Sequence, residues 1–225
     1  MPGDRPRERV VVIGASGFGR EALDVVEAMA AAGAALVVEG VVDDGPSALN
    51  LERLAHRGVP YLGTVEELLA GGVRHVRYVL GIGDPDVRRR VVARLDEGGA
   101  RPFTAIHPSA TFGAVGTVAD GVVVCAGATI STNVRLGRHV HVNPNATIGH
   151  DAVLGDFVSV NPAAVVSGEV VVGAGTLVGA AATILQNLTV GEGAVIGAGA
   201  VVTKSVPDQV TVKGVPGVWG RAADT

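Results

Sequence analysis

The stretch that decides the fold is VNPNATIGHDAVLGDFVSVNPAAV, residues 142–165, because it repeats every six residues. It divides into the hexads VNPNAT, IGHDAV, LGDFVS and VNPAAV, and the same frame runs without insertion through 16 hexads from residue 106 to residue 201. The first position of every hexad is Ile, Val, Leu or Phe. Such a period predicts a parallel β-helix, in which each hexad adds a short strand and a corner. Each coil buries its aliphatic side chains only against the next coil, so a long array is required.

The composition agrees with thin, repeated layers and limits the possible partners. Aromatic residues make up 3% of the 225 residues, whereas 33 are glycine. The formal net charge of -4 argues against a nucleic-acid partner, which requires a concentrated basic face. No apolar run reaches the roughly 20 residues that span a bilayer. The single cysteine, Cys125, allows neither an internal disulfide nor a multi-cysteine metal site. We expect a cytoplasmic protein without a membrane or nucleic-acid partner and without a metal.

Residues 9–102 have a different pattern, in which apolar strands alternate with amphipathic helices. Strands are predicted in RVVVIGA (9–15), ALVVEGVVDD (35–44) and VRYVLGIGD (76–84), and helices in residues 20–33, 64–70 and 85–99. Thr64 and Glu67 have the spacing of a capping box, and Pro85 opens the last helix. This order predicts a small Rossmann-like parallel sheet covered by helices. We therefore expect an amino-terminal domain over residues 1–102, a β-helix over 103–203 and a tail over 204–225.

A glycine-rich turn, GASGFG (14–19), joins the first strand to the first helix. The backbone N–H groups of such a turn and the helix N-terminus favour an anion, usually a phosphate. The glycine spacing is G-x-x-G-x-G, which differs from the dinucleotide motif G-x-G-x-x-G. The domain is also too short for a full dinucleotide fold. The turn predicts contact with a phosphate and argues against NAD.

Taken together, the stretches VVIGASGFGRE, VVDD, GIGD and GHDAVLGDF resemble the sialic acid O-acetyltransferase and bacillosamine N-acetyltransferase family of hexapeptide-repeat sugar acyltransferases. The resemblance covers nearly the whole chain. It implies a left-handed β-helix with three hexads per coil, assembled as a homotrimer, with acetyl-CoA as the co-substrate. It implies acetyl transfer to the amino group of a nucleotide-linked amino-deoxy sugar. A sugar O-acetyltransferase and a non-catalytic hexapeptide scaffold remain the alternatives.

With three hexads per coil, residues 18 apart lie about 4.8 Å from one another on successive coils. His150 then projects from a corner, with Thr132 one coil below it and Gly168 one coil above. The resemblance implies that His150 is the general base and that Asp151 fixes its tautomer. It also implies that Asn143 lies near the acceptor and that the Gly168 N–H binds the thioester oxygen. Histidine ordinarily titrates near pH 6.5, which suits a base at neutral pH.

The resemblance also assigns residues that bind the coenzyme and the acceptor, and some of them have an alternative role. Ser159 stands where many family members have a second histidine, which puts a two-histidine mechanism in doubt. The predicted coenzyme residues are Ser159, Gly168, Ala180, Ala198 and Lys213. The predicted acceptor residues are Ser16, Gly17, Phe18, Asp43 and Asp44. Asp43 and Asp44 have an alternative role as caps of the strand-to-helix turn. The tail is expected to close over the coenzyme, with Trp219 covering the adenine or capping the solenoid.

The remaining histidines and the outward aliphatic residues are assigned to surfaces. His139 and His141 are predicted to point outward, at the surface or at subunit contacts. Their spacing to His150 does not match the zinc site of a γ-type carbonic anhydrase, which needs three converging histidines. Outward aliphatic residues are expected to pack in the trimer: Val153, Val171, Leu177 and Val195.

Overall fold

The computed structural model describes residues 7–72, 76–214 and 218–221, with only the backbone for Val76 and for residues 218–221. The chain divides into two compact units, Met1–Pro108 and Ser109–Thr225. The first is an α/β unit and the second a β-solenoid. No helix in the described segments is long and apolar enough to cross a membrane.

The amino-terminal unit is built on one parallel sheet with the strand order β2-β1-β3-β4. Residues Val10–Ile13 of β1 are at most 2% exposed, because this strand lies between two others. Helix α1 buries its apolar face, which includes Leu23 and Val26. The predicted parallel α/β fold is therefore confirmed. Its elements are β1 (Glu8–Ile13), α1 (Gly17–Ala31), β2 (Leu36–Val42), α2 (Ala48–His56), α3 (Val65–Ala70), β3 (Val76–Leu80), α4 (Pro85–Glu97), β4 (Arg101–Pro102) and β5 (Ala105–Ile106).

Local signals place the starts of the short helices. The Thr64 side chain accepts from the Glu67 N–H, and the Glu67 carboxylate accepts from the Thr64 N–H, so the predicted capping box is present. Pro85 opens α4, as predicted. Helix α2 was not predicted. Leu51, Leu54 and Ala55 have the i, i+3, i+4 spacing of an amphipathic helix, a signal that was overlooked, and Ser47 caps the start.

The carboxyl-terminal unit is a solenoid whose strands follow one another every six residues. Its strands are β6 (Thr111–Phe112), β7 (Gly116–Val118), β8 (Val123–Val124), β9 (Thr129–Ile130), β10 (Val134–Leu136), β11 (His141–Val142), β12 (Thr147–Ile148), β13 (Val153–Leu154), β14 (Ser159–Val160), β15 (Val165–Val166), β16 (Val171–Val172), β17 (Leu177–Val178), β18 (Thr183–Ile184), β19 (Thr189–Val190), β20 (Val195–Ile196), β21 (Val201–Val202), β22 (Val210–Lys213) and β23 (Val218–Arg221).

These strands form three parallel sides. Side 1 contains β6, β9, β12, β15, β18 and β21; side 2 contains β7, β10, β13, β16 and β19; side 3 contains β8, β11, β14, β17, β20 and β22. The pairs Thr147↔Val165, Val153↔Val171 and Ser159↔Leu177 each join residues 18 apart. Three hexads therefore complete one coil, and the predicted parallel β-helix is confirmed.

The first residue of each hexad forms the core of the solenoid. From Val124 to Val202 these side chains are at most 3% exposed. Phe112 and Val118, which open the array, are 40% and 39% exposed, because β6 and β7 stand at the ends of their sheets. At the opposite ends of these two sheets, Val190 of β19 and Val202 of β21 are 0% and 3% exposed, so only the start of the array is left open.

The last coil departs from the six-residue frame. Val195 pairs with Thr211, so this coil has 16 residues where the others have 18. The backbone of β23 then runs antiparallel to β22. The first part of the predicted tail thus continues the solenoid, and its closure over a coenzyme stays a prediction. Gly217 and the Trp219 side chain lie outside the described residues.

The surface positions predicted for His139 and His141 are wrong, since these residues are 0% and 1% exposed. The His139 ring stacks on the Phe157 ring one coil above, with 5.3 Å between the centroids. It also lies over Gly121, where a Cβ would come within 2.2 Å of the ring. Glycine at residue 121 leaves room for an imidazole that the hexad position alone would direct outward.

Candidate active site

The corner between sides 1 and 2 carries the predicted catalytic pair. His150 and Asp151 lie between β12 and β13, and Asp151 has a left-handed φ of 61°. The Asp151 N–H donates to the Thr132 carbonyl on the coil below, and the Glu169 N–H donates to the His150 carbonyl. These bonds continue from coil to coil along the corner. They fix the backbone from which both side chains project.

The imidazole and the carboxylate form a direct hydrogen bond. His150 Nδ1 lies 2.7 Å from Asp151 Oδ2, and the two side chains are 57% and 43% exposed. A carboxylate at Nδ1 selects the tautomer that carries its proton on that nitrogen. Nε2 is then left as a proton acceptor, which is the arrangement a general base requires.

The second oxygen of Asp151 is also bound. Asn133, one coil below, donates from Nδ2 to Asp151 Oδ1 over 2.8 Å. The hydrogen bonds from Asn133 and His150 hold the pKa of Asp151 below its usual range. The carboxylate is therefore ionised at neutral pH. Sequence reasoning missed Asn133, although the 18-residue spacing that was applied to His150 finds it when applied to Asp151.

Gly168 lies directly against the imidazole. A Cβ at this residue would come within 2.6 Å of both Cε1 and Nε2 of His150. The Gly168 N–H has no acceptor among the described residues. The imidazole thus packs against the backbone of Gly168, where any larger residue would displace it.

Replacing Gly168 by alanine is expected to lower kcat by roughly tenfold to a hundredfold, because displacing a reacting group by about 1 Å has an effect of that size. Steady-state acyl transfer measures the loss. The same substitution in a His150→Ala background is the control and should change the residual rate little, since the displaced ring is absent. An equal loss in both backgrounds would show that Gly168 acts independently of His150.

The other residues predicted on the solenoid lie elsewhere on the coil. Asn143, Ala180 and Ala198 lie at the corner between sides 3 and 1, whereas Ser159 and Lys213 lie on side 3. The Asn143 side chain is 6% exposed, and its Nδ2 donates to the Val160 carbonyl over 3.0 Å. Ser159 is 2% exposed. A single copy does not bring any of these five residues to His150.

One group of residues has the spacing of metal ligands. His150, Asp151 and Glu169 each offer a nitrogen or oxygen, and these atoms lie within 4.8 Å of one another. All three side chains are exposed. Exposed acidic groups commonly reach this spacing without a metal, and a base at His150 requires none.

The amino-terminal unit contains a cavity of about 220 Å³ at the carboxyl ends of β1, β2 and β3. It is lined by Ile13, Gly14, Ser16, Asp43, Asp44, Val65, Ile82, Val87 and Val91. Ser16, Asp43 and Asp44 were predicted to bind the acceptor, and the structure brings them together here. Gly17 and Phe18 are not among the lining residues. Ligands of open parallel sheets bind at this edge.

The two aspartates hold the walls of the cavity. Asp43 accepts from the Ala15 N–H over 2.7 Å and from the Gly45 N–H over 2.9 Å. Asp44 accepts from the Val65 N–H at the start of α3 and pairs with Arg94. Partial burial opposes ionisation of Asp44, but the bonds from Arg94 and Val65 hold its pKa below the usual range. These contacts favour the alternative role of both residues as caps of the turns.

Two more polar side chains belong to the turn and the loop from which the cavity is built. Ser16 is the N-cap of α1, its hydroxyl makes no capping bond, and its side chain is exposed. A helix N-terminus with a free hydroxyl is suited to bind an anion. The fully buried Arg88 donates to the carbonyls of Ile82 and Gly83 and so holds the loop that follows β3. Burial lowers the pKa of Arg88 to about 9, which leaves it charged at neutral pH.

The chain thus combines a solenoid of hexapeptide repeats with an α/β amino-terminal unit. Residues 9–95 match the family model described as PglD N-terminal domain, and residues 169–204 match that of the bacterial transferase hexapeptide. The family resemblance predicted from the sequence is therefore confirmed. No curated protein sequence matches the chain.

Solved structures similar to the chain include sugar N-acetyltransferases. A perosamine N-acetyltransferase from Caulobacter crescentus, in complex with CoA and GDP-perosamine, is 28% identical with a TM-score of 0.83; the match covers 94% of this chain and 96% of that one. The acetyltransferase domain of PglB from Neisseria gonorrhoeae, in complex with acetyl coenzyme A, is 29% identical with a TM-score of 0.81, over 94% and 98%. WeeI from Acinetobacter baumannii is 27% identical with a TM-score of 0.80, over 94% and 99%.

Proposed function

We propose that the chain is an acetyl-CoA-dependent acetyltransferase that acylates the amino group of a nucleotide-linked amino-deoxy sugar. The observation that carries the proposal is the His150–Asp151 pair, bonded at 2.7 Å at an exposed corner over a glycine. The structures with CoA or acetyl coenzyme A, one of which also holds GDP-perosamine, support the classes of the two substrates. Because the perosamine relative is an N-acetyltransferase, it favours an amine over a hydroxyl as the acceptor.

The proposed reaction is a direct attack on the thioester. His150 Nε2 accepts a proton from the sugar amine as the amine nitrogen forms a bond to the carbonyl carbon. The carbonyl oxygen becomes negative and accepts a hydrogen bond from the Gly168 N–H. The carbonyl then re-forms, the carbon–sulfur bond breaks, and the CoA thiolate leaves and takes the proton from His150. Asp151 stabilises the charged imidazole between these steps.

The acceptor's nucleotide is proposed to occupy the amino-terminal cavity. Ser16 and the N-terminus of α1 supply donors for a phosphate, and the apolar walls cover the base or sugar. Gly17 is fully open, since a Cβ there would meet nothing within 4 Å. A phosphate can therefore approach the backbone of this turn closely.

The coenzyme site is proposed to need a second copy of the chain. Gly168 lies at the His150 corner, whereas Ala180, Ala198 and Lys213 lie on side 3 or at the corner that follows it. Ser159 was also predicted to bind the coenzyme, but it is 2% exposed and offers the coenzyme no surface. In a three-sided coil, side 3 faces away from the corner between sides 1 and 2. A homotrimer brings these two surfaces of neighbouring copies together. The outward Val171 and Val195, which are 43% and 40% exposed, provide apolar contacts for it. Sedimentation as a monomer would contradict the shared site.

The test is thiol release from acetyl-CoA with paired acceptors. Each pair consists of nucleotide-linked sugars that carry either an amino group or a hydroxyl at the same carbon. We expect release only with an amino sugar, with no effect of a metal chelator. Release with the hydroxyl member instead would assign the protein to sugar O-acetylation. Coenzyme binding without release for any acceptor would identify a scaffold.

A further inference from the structure

The corner that carries Asp151 is a column of four residues with the same backbone conformation. Asn133, Asp151, Glu169 and Asn187 follow one another at the 18-residue spacing of one coil, with φ values of 64°, 61°, 59° and 60°. Asparagine and aspartate adopt this left-handed conformation more readily than most residues. The left-handed φ is thus enough to account for an asparagine at residue 133. It does not account for the direction in which the Asn133 side chain points.

The Asn133 amide is bonded to the catalytic pair. Its Nδ2 donates to Asp151 Oδ1 over 2.8 Å, while Asp151 Oδ2 lies 2.7 Å from His150 Nδ1. The terminal torsion of an aspartate is otherwise broad, so an exposed carboxylate samples many orientations. With one oxygen bound from the coil below, the other oxygen is directed at the imidazole. Asn133, Asp151 and His150 form one chain of hydrogen bonds.

We propose that Asn133 is a positioning residue for acyl transfer, which orients Asp151 so that His150 presents Nε2 as the base. The inference rests on the proposed function, because it assigns a role within that site. Asn133 touches neither the reacting amine nor the thioester in this role, and it acts through Asp151.

A competing role for Asn133 is contact with the substrate. It lines a cavity of about 320 Å³ on side 2, together with Val115, Gly116, Thr117, Arg135 and Asp151. A substrate contact would change the KM of the acceptor, whereas loss of a positioned base changes kcat. The two roles therefore differ in which kinetic constant they move.

The test is Asn133→Asp, which keeps the size and the left-handed backbone but replaces the donor by a second carboxylate. We expect kcat to fall roughly tenfold to a hundredfold, the range seen when a group that orients a site residue is lost. The KM values for acetyl-CoA and for the sugar should stay within about twofold. Asn187→Asp is the matched control, since it has the same φ in the same column and makes no bond to Asp151. Its kcat should be unchanged.

Two further measurements separate the outcomes. In a His150→Ala background, Asn133→Asp should cause no additional loss of kcat, because the effects of substitutions within one chain of hydrogen bonds are not additive. Coenzyme binding by calorimetry should be the same for Asn133→Asp, Asn133→Ala and the unsubstituted protein. An unchanged kcat, an equal effect of Asn187→Asp or a raised acceptor KM would overturn the proposal. Absence of any transfer by the unsubstituted protein would instead refute the proposed function.

Discussion

Replacing His150 by alanine is expected to reduce the rate of acyl transfer by roughly 10²–10⁴-fold, the usual contribution of a general base. The fold should be unaffected, because the side chain is 57% exposed at a corner that its backbone holds in place. The loss should lie in kcat, since the ring would contact the reacting amine and not the distant parts of either substrate. Thiol release under saturating substrates measures it.

The matched control for this prediction is His56→Ala, which removes an exposed imidazole from the end of α2 in the other unit. Its activity should equal that of the unsubstituted protein. If His150→Ala melts at a lower temperature, His150→Asn provides a variant of similar size that still lacks the base. If a folded His150 variant transfers the acyl group at the full rate, then His150 is not the general base.

Replacing Gly19 by alanine is expected to destabilise the amino-terminal unit by about 3 kcal/mol or more, because it forces two backbone segments apart. A Cβ at Gly19 would lie 1.9 Å from the carbonyl oxygen of Gly14, and one at Gly81 would lie 2.4 Å from Cα of Gly19. Three glycines thus pack backbone against backbone beneath the cavity. Neither contact ends on a flexible side chain, so the strain cannot be relieved locally.

The control is Gly17→Ala, in the same turn, where a Cβ would meet nothing within 4 Å. This change should be neutral or slightly stabilising, since glycine is unfavourable in a helix by about 0.5–1 kcal/mol relative to alanine. Hydrogen exchange of β1 and urea denaturation measure both variants. Equal denaturation midpoints for Gly19→Ala and Gly17→Ala would show that the close approach is not required.

The two units differed in how well the sequence predicted them. The hexads predicted the strand positions and the residues of the core, because a solenoid repeats one local rule. The spacing of 18 between paired residues came from the family resemblance, which implied three hexads per coil. In the α/β unit, strands β1, β2 and β3, the capping box at Thr64 and the start of α4 at Pro85 were predicted, whereas strand β4 was not. Helix α2 was missed although Leu51, Leu54 and Ala55 have helical spacing, a signal that the sequence did contain.

The candidate site was predicted only in part. Some of its contacts join residues whose spacing in the sequence is known, whereas others depend on which side chains pack against each other. The His150–Asp151 pair is adjacent in the sequence, and Gly168 follows His150 by one coil, so both were found. Asn133 precedes Asp151 by one coil and was overlooked in the same pattern. His139 was placed wrongly, since its burial depends on Phe157 and on the space left by Gly121.

The sequence by itself determined the period, and with it the class of fold, the core and the corner from which the imidazole projects. These properties are local, since each hexad places its own apolar residue inward and its own corner outward. Only the tertiary structure decided the orientation of the side chains at that corner and which backbone N–H groups Asp43 and Asp44 accept hydrogen bonds from. Those depend on distances of a few ångströms between coils and loops, which residue spacing does not specify.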